Sequence, residues 1–142
     1  DEKVLPHVFE ISMGIDRSLY TILEHSLKND EEHERMVLSL KPYLSPVHVG
    51  ILSLVKKDGL KEKTDEIFLN IKRKFDAFLD HSGAIGRRYR RLDEIGAPFA
   101  ITVDHQTLED NTVTIRKRDS MEQSRVDISK IDSILLESVG FP

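Results

Sequence analysis

The densest group of side chains able to bind a ligand is the run GRRYRR at residues 86–91, which holds four arginines in five consecutive positions. Apolar residues recur around it at helical spacing, and the stripe that they form is Ile85, Tyr89 and Leu92. The side chains that project outward or to one side of this stripe are Arg87, Arg88, Arg90 and Arg91. Guanidinium groups pair with phosphate through two parallel hydrogen bonds. The run therefore predicts either an anion-binding helix face or a solvated face of ordinary surface arginines.

A second basic group lies in residues 112–118, TVTIRKR, where apolar and polar side chains alternate as they do in a strand. The alternation predicts that Arg116 and Arg118 share an exposed sheet face, opposite the core. Beside an arginine-rich helix they would form a local positive surface, for which phosphate is the expected ligand. The alternative is cross-strand pairing with Asp104 or Glu109, which contributes about 0.2–1 kcal/mol.

Other motifs that carry chemistry are missing from the sequence. It has no cysteine, which excludes disulfides, thiolate metal sites and cysteine nucleophiles. Its six histidines form neither an HExxH pattern nor a cluster, so we expect no metal site. It contains neither the GxxxxGK[ST] loop that cradles nucleotide phosphates nor the GxSxG turn that presents a nucleophilic serine.

Length and composition suit one domain of ordinary size with a modest attachment, since the chain has 142 residues, 39% of them hydrophobic. Lys and Arg total 21 against 25 Asp and Glu, so the formal net charge of −4 excludes a uniformly basic surface but not a local basic patch. No apolar run approaches the roughly 18 residues of a membrane-spanning helix, and we expect a cytoplasmic protein without a membrane partner. The chain starts at Asp without a secretion signal, which indicates a processed protein or a piece of a longer one.

The N-terminal part is predicted to contain a strand that leads into a helix. Side chains alternate over residues 8–13, which places Glu10 and Ser12 on one face of the strand. Gly14 interrupts the alternation, and apolar residues then recur at helical spacing to about residue 27. The acidic run KNDEEHE ends this helix, and the proline-containing segment after it is predicted to be a short extended connector.

From residue 47 onward the pattern alternates between strands and helices. The predicted strands are residues 47–55, 75–79, 99–104 and 112–118. The predicted helices are residues 60–75, 85–95 and a last helix from about residue 128, capped by Asp127 or Ser129. The segment HQTLEDN between the last two strands has the composition of a turn. This order predicts an α/β domain built on a mixed sheet.

Several long segments resemble the C-terminal part of class II glycyl-tRNA synthetases, particularly their archaeal forms. The opening PHVFEISMGIDR is similar to motif 3 of that family, in which a strand runs into a helix with an arginine at the GxDR position. The segments VHVGILSLVKKDG, HSGAIGRRYRRLDEIGAPFAITVD and TLEDNTVTIRKRDSMEQ resemble its anticodon-binding domain. Together these segments cover almost the entire chain. One departure is Ile11, where many members of the family have proline.

The resemblance implies roles for individual residues. By the match to motif 3, Arg17 would bind ATP, while Glu10 and Ser12 would surround the amino group of glycine. A carboxylate suits an ammonium group, which agrees with that assignment. The residues implied to line the surface for the anticodon stem and loop are Arg87, Arg88, Arg91, Glu109, Arg116 and Arg118. Among them we expect the helix arginines to bind phosphates, and Arg116 or Arg118 to approach base edges.

The resemblance also implies a domain organisation. Residues 1–27 would be the end of a class II catalytic domain, residues 28–46 a connector and residues 47–142 the anticodon-binding domain. The fold would be α/β, with a mixed, mostly parallel sheet flanked by helices and preceded by a strand–helix remnant of the catalytic domain. Class II motifs 1 and 2 do not occur in the chain, so we expect this fragment alone to be inactive and to hold no cofactor.

The full-length enzyme implied by the resemblance is a homodimeric ligase. It would form glycyl-adenylate from glycine and ATP, with Mg²⁺ assisting the phosphates, and would transfer glycine to glycine tRNA. An alternative is a stand-alone RNA-binding or regulatory module, because one fold can serve several functions. A third hypothesis is a catalytically silent paralogue. Glu10, Ser12 and Arg17 favour the ligase, since neither alternative needs them.

Overall fold

A computed structural model describes residues 3–55 and 59–140 of the chain. Its α-helices are α1 (Ile15–Ser26), α2 (Leu60–Lys72), α3 (Ile85–Glu94), α4 (His105–Asp110) and α5 (Ile131–Val139). Its strands are β1 (Leu27–Asp30), β2 (Arg35–Leu38), β3 (Val49–Ser53), β4 (Ala77–Asp80), β5 (Phe99–Val103), β6 (Thr112–Lys117) and β7 (Gln123–Asp127). Short 3₁₀ turns lie at Pro42–Leu44 and Ile128–Lys130.

The main sheet has five strands in the order β4-β3-β5-β6-β7, and β1 and β2 form a separate antiparallel hairpin. Strand β3 pairs in parallel with β4 and β5, whereas β6 pairs antiparallel with both β5 and β7. Four strands of the main sheet therefore run in one direction and β6 runs against them. The prediction of a mixed, mostly parallel sheet with flanking helices is confirmed.

Helices cover both faces of the main sheet because its central strands are apolar on both sides. On one face, fully buried residues such as Ile51 and Ile101 pack in a core with residues of α2 and α5. On the other face, Leu92 of α3 packs against Leu52 and against the backbone at Gly50. A Cβ atom at Gly50 would lie 2.2 Å from a methyl carbon of Leu92, so glycine is what allows α3 to approach this closely.

Helix α1 is amphipathic but has no buried residue. Apolar side chains along it, including Leu19 and Tyr20, are more than half exposed. Of the helices in the described ranges, none is both long and apolar enough to cross a membrane.

The predicted strand over residues 8–13 is not formed, because residues 3–14 carry no regular secondary structure. A strand needs a neighbour to satisfy its backbone groups, and within the described residues none lies beside this segment. The side chains of the segment are all exposed. The prediction of a helix after it, in contrast, is confirmed by α1.

Three further elements differ from the sequence-based expectation. The segment HQTLEDN is helix α4 rather than a turn, and Asp104 and Thr107 form a capping box at its start. Strand β7 was not expected, since Gln123–Asp127 has a mostly polar composition. The predicted extended connector contains strand β2, which pairs with β1, and β1 itself includes the start of the acidic run.

Candidate nucleic-acid interface

Strand directions bring several chain segments together at one edge of the main sheet, which we call the carboxyl edge. Strands β3, β4, β5 and β7 end there, and α3 and α4 begin there. Strand β3 has β4 on one side and β5 on the other, so the direction in which the sheet is built reverses beside β3. Open α/β sheets bind their ligands outside the carboxyl ends of strands at such a reversal. The fold therefore indicates the carboxyl edge as a binding site.

Arg87 and Arg90 are exposed on α3, and the side chain of neither forms a hydrogen bond or ion pair with any residue in the described ranges. The guanidinium group of Arg87, in the first turn, lies beside Gly83, where a Cβ atom would be 3.9 Å from Cζ. The spacing of Arg90 and Glu94 would suit an ion pair, but none is formed between them. Both guanidinium groups are thus open to an external anion.

Arg91 is also on this helix but is partly engaged by the protein. Its Nε and Nη2 atoms donate to one oxygen of Asp80, at 2.9 and 2.5 Å. Burial opposes the charged form of Asp80, yet the hydrogen bonds from the Ser82 N–H and from Arg91 outweigh this effect and lower its pKa. The Arg91 side chain is 42% exposed. It can therefore contact a ligand while Asp80 holds it in place.

The prediction that Arg88 contributes to an accessible basic surface is wrong, because this residue is only 4% exposed. Its Nη1 donates to the carbonyl oxygens of Ser53 and Asp80, at 2.6 and 3.3 Å, where β3 and β4 end. Burial lowers the pKa of Arg88. Its Nε atom is buried without a hydrogen-bond partner in the described part of the chain. Arg88 thus ties α3 to two strand ends.

The prediction of an exposed sheet face for Arg116 and Arg118 is also wrong, because they are 6% and 2% exposed. Arg116 donates to both oxygens of Asp93 on α3, at 2.9 and 3.1 Å, and lies over the ring of Tyr89. Arg118 donates to the carbonyl oxygens of Leu38, Leu40 and Gly96. Alternation assigned both to the correct face, but α3 and the hairpin cover that face.

The predicted site residues also fall at two different edges of the sheet. Arg87 and Arg91 belong to α3, which begins at the carboxyl edge, and Glu109 belongs to α4, which begins there as well. Strand β6 runs the other way, so Arg116 and Arg118 lie toward the opposite edge. Only the first group can contribute exposed side chains to one surface.

Arg125 on β7 is a candidate that the sequence-based reasoning missed. Its guanidinium group donates to both oxygens of Asp104 and to Thr112 Oγ1. The hydrogen bonds from Arg125 lower the pKa of Asp104, and the same contact raises the pKa of Arg125. The Arg125 side chain remains 27% exposed. Its only sequence signal was a single arginine in a polar segment.

A row of polar side chains connects Arg125 to α3 across the sheet. The hydroxyl groups of Tyr89 and Thr102 are 2.5 Å apart. Thr102 is paired with Thr114, which in turn is paired with Arg125. Thr102 is buried and its hydroxyl group is paired with Tyr89. The polar groups of this row that an RNA strand could reach are therefore those of Thr114 and Arg125.

The residues expected to bind glycine and ATP lie apart from this surface, in the N-terminal segment. Ser12 and Arg17 line the same open depression, together with Ser18 and Thr21 of α1. Glu10 is exposed and does not contribute to that depression. Because the predicted strand is not formed, the expected common face of Glu10 and Ser12 is not formed either.

Metal or nucleophilic chemistry receives no support from the described residues. No group of three histidine or carboxylate side chains in them could hold a metal ion. Ser53 Oγ lies 3.0 Å from His81 Nδ1, and His81 Nε2 lies 2.9 Å from Asp65. Ser53 is completely buried, so a substrate could not reach its hydroxyl group. This chain of contacts joins α2 to the ends of β3 and β4.

The comparison with known families agrees with the topology. A family model described as "Anticodon binding domain" matches residues 48–138. The chain belongs to the anticodon-binding-domain family. The matched range includes all five strands of the main sheet and the carboxyl edge, whereas the hairpin and α1 lie outside it.

Among relatives of this anticodon-binding domain are glycine–tRNA ligases of archaea. That of Methanococcus vannielii is 50% identical over 143 residues, which is 97% of this chain and 24% of the relative. That of Methanothrix thermoacetophila is 52% identical over 137 residues, or 94% of this chain and 24% of the relative. The resemblance to glycyl-tRNA synthetases is thus confirmed. The chain spans about a quarter of the length of these relatives.

A solved structure shares the fold of this anticodon-binding domain. The RNA binding domain of threonyl-tRNA synthetase from Cryptosporidium parvum Iowa II superposes with a TM-score of 0.65. The match covers 73% of this chain and 26% of the other, at 23% identity. At that identity the likeness concerns the fold alone.

Proposed function

We propose that this chain is the part of a glycine–tRNA ligase that binds the anticodon region of glycine tRNA. The observation that carries the proposal is the pair of exposed arginines without partners, Arg87 and Arg90, at a carboxyl edge where the fold favours ligand binding. The identity to glycine–tRNA ligases, extending from the N-terminal segment through the anticodon-binding domain, supports glycine tRNA as the RNA.

The charges of the domain fit an RNA backbone at this edge. We define the arginine surface as Arg87, Arg90 and Arg91 on α3. Arg87 and Arg91 lie one helical turn apart and repel each other, and bound phosphate would relieve that repulsion. In a chain of net charge −4, such a local surface directs RNA to one face. These arginines would fix the position of the RNA without reading its sequence.

Arg125 is the residue that we assign to base recognition. Asp104 holds its guanidinium plane in one orientation, which reduces the entropy lost when a base edge binds. A base would replace the bonds from Arg125 to Thr112 or Thr114 and leave those to Asp104 in place. The hydroxyl group of Thr114 accepts a hydrogen bond from Arg125 and could donate its own proton to a base. Glu109, exposed on α4, would accept a hydrogen bond from a base amino group at the same edge.

In the whole ligase, the N-terminal segment would take part in glycine activation. Glu10 and Ser12 would contact glycine and Arg17 would contact ATP, once neighbouring strands held residues 8–13 in extended form. In the whole ligase, Mg²⁺ would assist the phosphates of ATP during this activation. We also propose that the whole protein is a homodimer located in the cytoplasm.

Binding of glycine tRNA across a salt series tests the proposal. Arg87→Ala and Arg90→Ala should each weaken binding to glycine tRNA and to an anticodon-swapped variant alike, and should lower the salt slope by about 0.7–0.9 per lost phosphate contact. Arg73→Ala is the matched control, since Arg73 is an exposed arginine near the opposite edge, after the end of α2.

Arg125→Gln should instead cost about 1–3 kcal/mol for the cognate anticodon and little for the swapped one. Equal losses for both RNAs would contradict base reading by Arg125. If Arg87→Ala and Arg90→Ala bind RNA as tightly as the control, α3 is a solvated face and the proposed interface is wrong.

A further inference from the structure

A buried ionic network joins the hairpin to the anticodon-binding domain, although the hairpin lies outside the family match. Asp93, on α3, is 1% exposed and accepts hydrogen bonds from two arginines of distant segments. Arg116 of β6 reaches both of its oxygens, and Arg35 of β2 reaches Oδ2 at 2.9 Å. Arg35 also donates to Asp30 of β1 at 2.8 Å. One carboxylate thus connects a helix, the main sheet and the hairpin.

Arg118 adds a second connection between the same parts. Its guanidinium group donates to the carbonyl oxygens of Leu38, the last residue of β2, of Leu40 just after the hairpin, and of Gly96 after α3. Gly96 has a φ of +83°, and a Cβ atom there would lie 3.0 Å from the carbonyl oxygen of Leu38. The left-handed φ and this tight contact together make any other residue at position 96 strained.

The hairpin is in turn continuous with α1. Helix α1 ends at Ser26 and β1 begins at Leu27, with no linker between them. The backbone N–H of Ser39 donates to the carbonyl oxygen of Ser26 at 2.7 Å, which closes the hairpin against the end of the helix. A change in the position of the hairpin therefore also moves the end of α1.

We propose that Asp93 is a positioning residue that fixes α1 at a set distance and angle from the arginine surface. It holds Arg116 in the sheet with one pair of hydrogen bonds and Arg35 in the hairpin with another contact. The hairpin is then a rigid adaptor rather than a flexible connector. Only the identity of the two ends rests on the proposed function, since α1 follows the expected glycine-binding residues and carries Arg17, which is expected to bind ATP, and α3 carries the expected RNA contacts.

Distance measurements between two spin labels test the adaptor without RNA or activity. The chain has no cysteine, so Glu24→Cys on α1 and Asn70→Cys on α2 would label only those two exposed sites. We expect one narrow distance distribution. Arg35→Met removes the hydrogen bonds of Arg35 but keeps an aliphatic side chain, and should broaden the distribution about twofold and speed hairpin amide exchange about tenfold.

Lys28→Ala is the matched control, because Lys28 is exposed on β1 and its Nζ lies 3.5 Å from Ser39 Oγ. Its charge acts on Asp119 through space and not through a hydrogen bond. The sheet should stay folded in Arg35→Met, since Asp93 keeps both hydrogen bonds from Arg116; slow amide exchange in β5 would verify this. A narrow distribution in Arg35→Met, or a broad one in the unsubstituted chain, would overturn the positioning role.

The whole ligase offers a second readout that a merely structural role would not move. Glycine-dependent exchange between ATP and pyrophosphate needs only the catalytic domain, whereas charging needs tRNA placed across both domains. Arg35→Met should lower kcat for tRNA charging about tenfold or more, with the exchange rate and the KM for tRNA unchanged. Equal losses in exchange and charging would contradict positioning. Loss of RNA binding by the arginine-surface variants tests the proposed function separately.

Discussion

Arg116 and Asp93 form a buried two-point ion pair, with donor–acceptor distances of 2.9 and 3.1 Å. Both side chains are less than a tenth exposed, so neither charge is solvated by bulk water. Such a pair is costly to break, because removing one partner leaves the other charged and buried. The pair therefore holds α3 against β6 and withdraws Arg116 from any external ligand.

Loss of the Asp93 carboxylate should destabilise the domain strongly. Asp93→Ala leaves Arg116 and Arg35 buried without their common acceptor, so we expect the free energy of unfolding in urea to fall by about 3–5 kcal/mol. The matched control is Glu94→Ala, which removes an exposed carboxylate from the next position of the same helix and should change it by less than about 0.5 kcal/mol. Similar values for the two variants would show that the network contributes little.

Sequence patterns predicted the central sheet well because its strands and helices carry clear apolar periodicity. They could not show what covers each face. Alternation placed Arg116 opposite Ile115, which is correct, but burial depends on the hairpin, and the acidic run in the hairpin turn concealed the two strands. Arg88 was placed beside the apolar stripe of α3, and only the three-dimensional structure shows that the strand ends enclose it.

Replacing two glycines near α3 with alanine should have opposite effects on the stability of the domain. Gly50→Ala places a methyl group against the buried Leu92 side chain, so we expect a loss of about 1–3 kcal/mol in the free energy of unfolding. Gly86, in the first turn of α3, has open space where its Cβ would be, and Gly86→Ala should stabilise the domain by about 0.5–1 kcal/mol. Chemical denaturation of both variants measures this, and a stabilising Gly50→Ala would disprove the tight contact.

The elements that the sequence did not predict are defined by contacts with neighbouring residues, because their own sequences lack a clear apolar periodicity. Helix α4 has only one turn and a half, and a capping box closed by Asp104 and Thr107 starts it. Strand β7 is polar, and its pairing with β6 defines it. The strand expected over residues 8–13 shows the converse case: it has the pattern of a strand but no neighbour within the described residues.

Acidification should destabilise the hairpin at a pH that is set by the pKa of Asp30. Hydrogen bonds from His33 and Arg35 lower the pKa of Asp30 from 3.8 to about 2. Because the folded-state pKa is below the ordinary value, the stabilisation from ionised Asp30 is complete above about pH 4 and is lost as the pH falls through about 2. Carboxyl NMR titration and hairpin amide exchange measure both effects.

Asp30→Asn should remove that part of the pH dependence of hairpin exchange. Asp16→Asn, an exposed substitution in the first turn of α1, is the control and should leave the dependence unchanged. If hairpin exchange in the unsubstituted chain does not change between pH 4 and pH 2, the Asp30 contacts do not hold the hairpin closed.

Substitutions of two neighbouring arginines of α3 should change different properties, namely stability for Arg88 and RNA affinity for Arg87. Arg88→Met removes the donors that bind the carbonyl oxygens of Ser53 and Asp80, and burying those oxygens without partners should lower the free energy of unfolding by about 1–3 kcal/mol. Arg87→Met changes an exposed side chain without an ion pair, so stability should change by less than about 0.5 kcal/mol. Affinity for glycine tRNA should show the reverse order, because of these two residues only Arg87 has an exposed guanidinium group that a phosphate could contact. Urea denaturation and RNA titration of the folded variants separate the two. A loss of RNA affinity in Arg88→Met at unchanged stability would contradict the structural role given to Arg88. It would support the sequence-based assignment of Arg88 to the RNA surface.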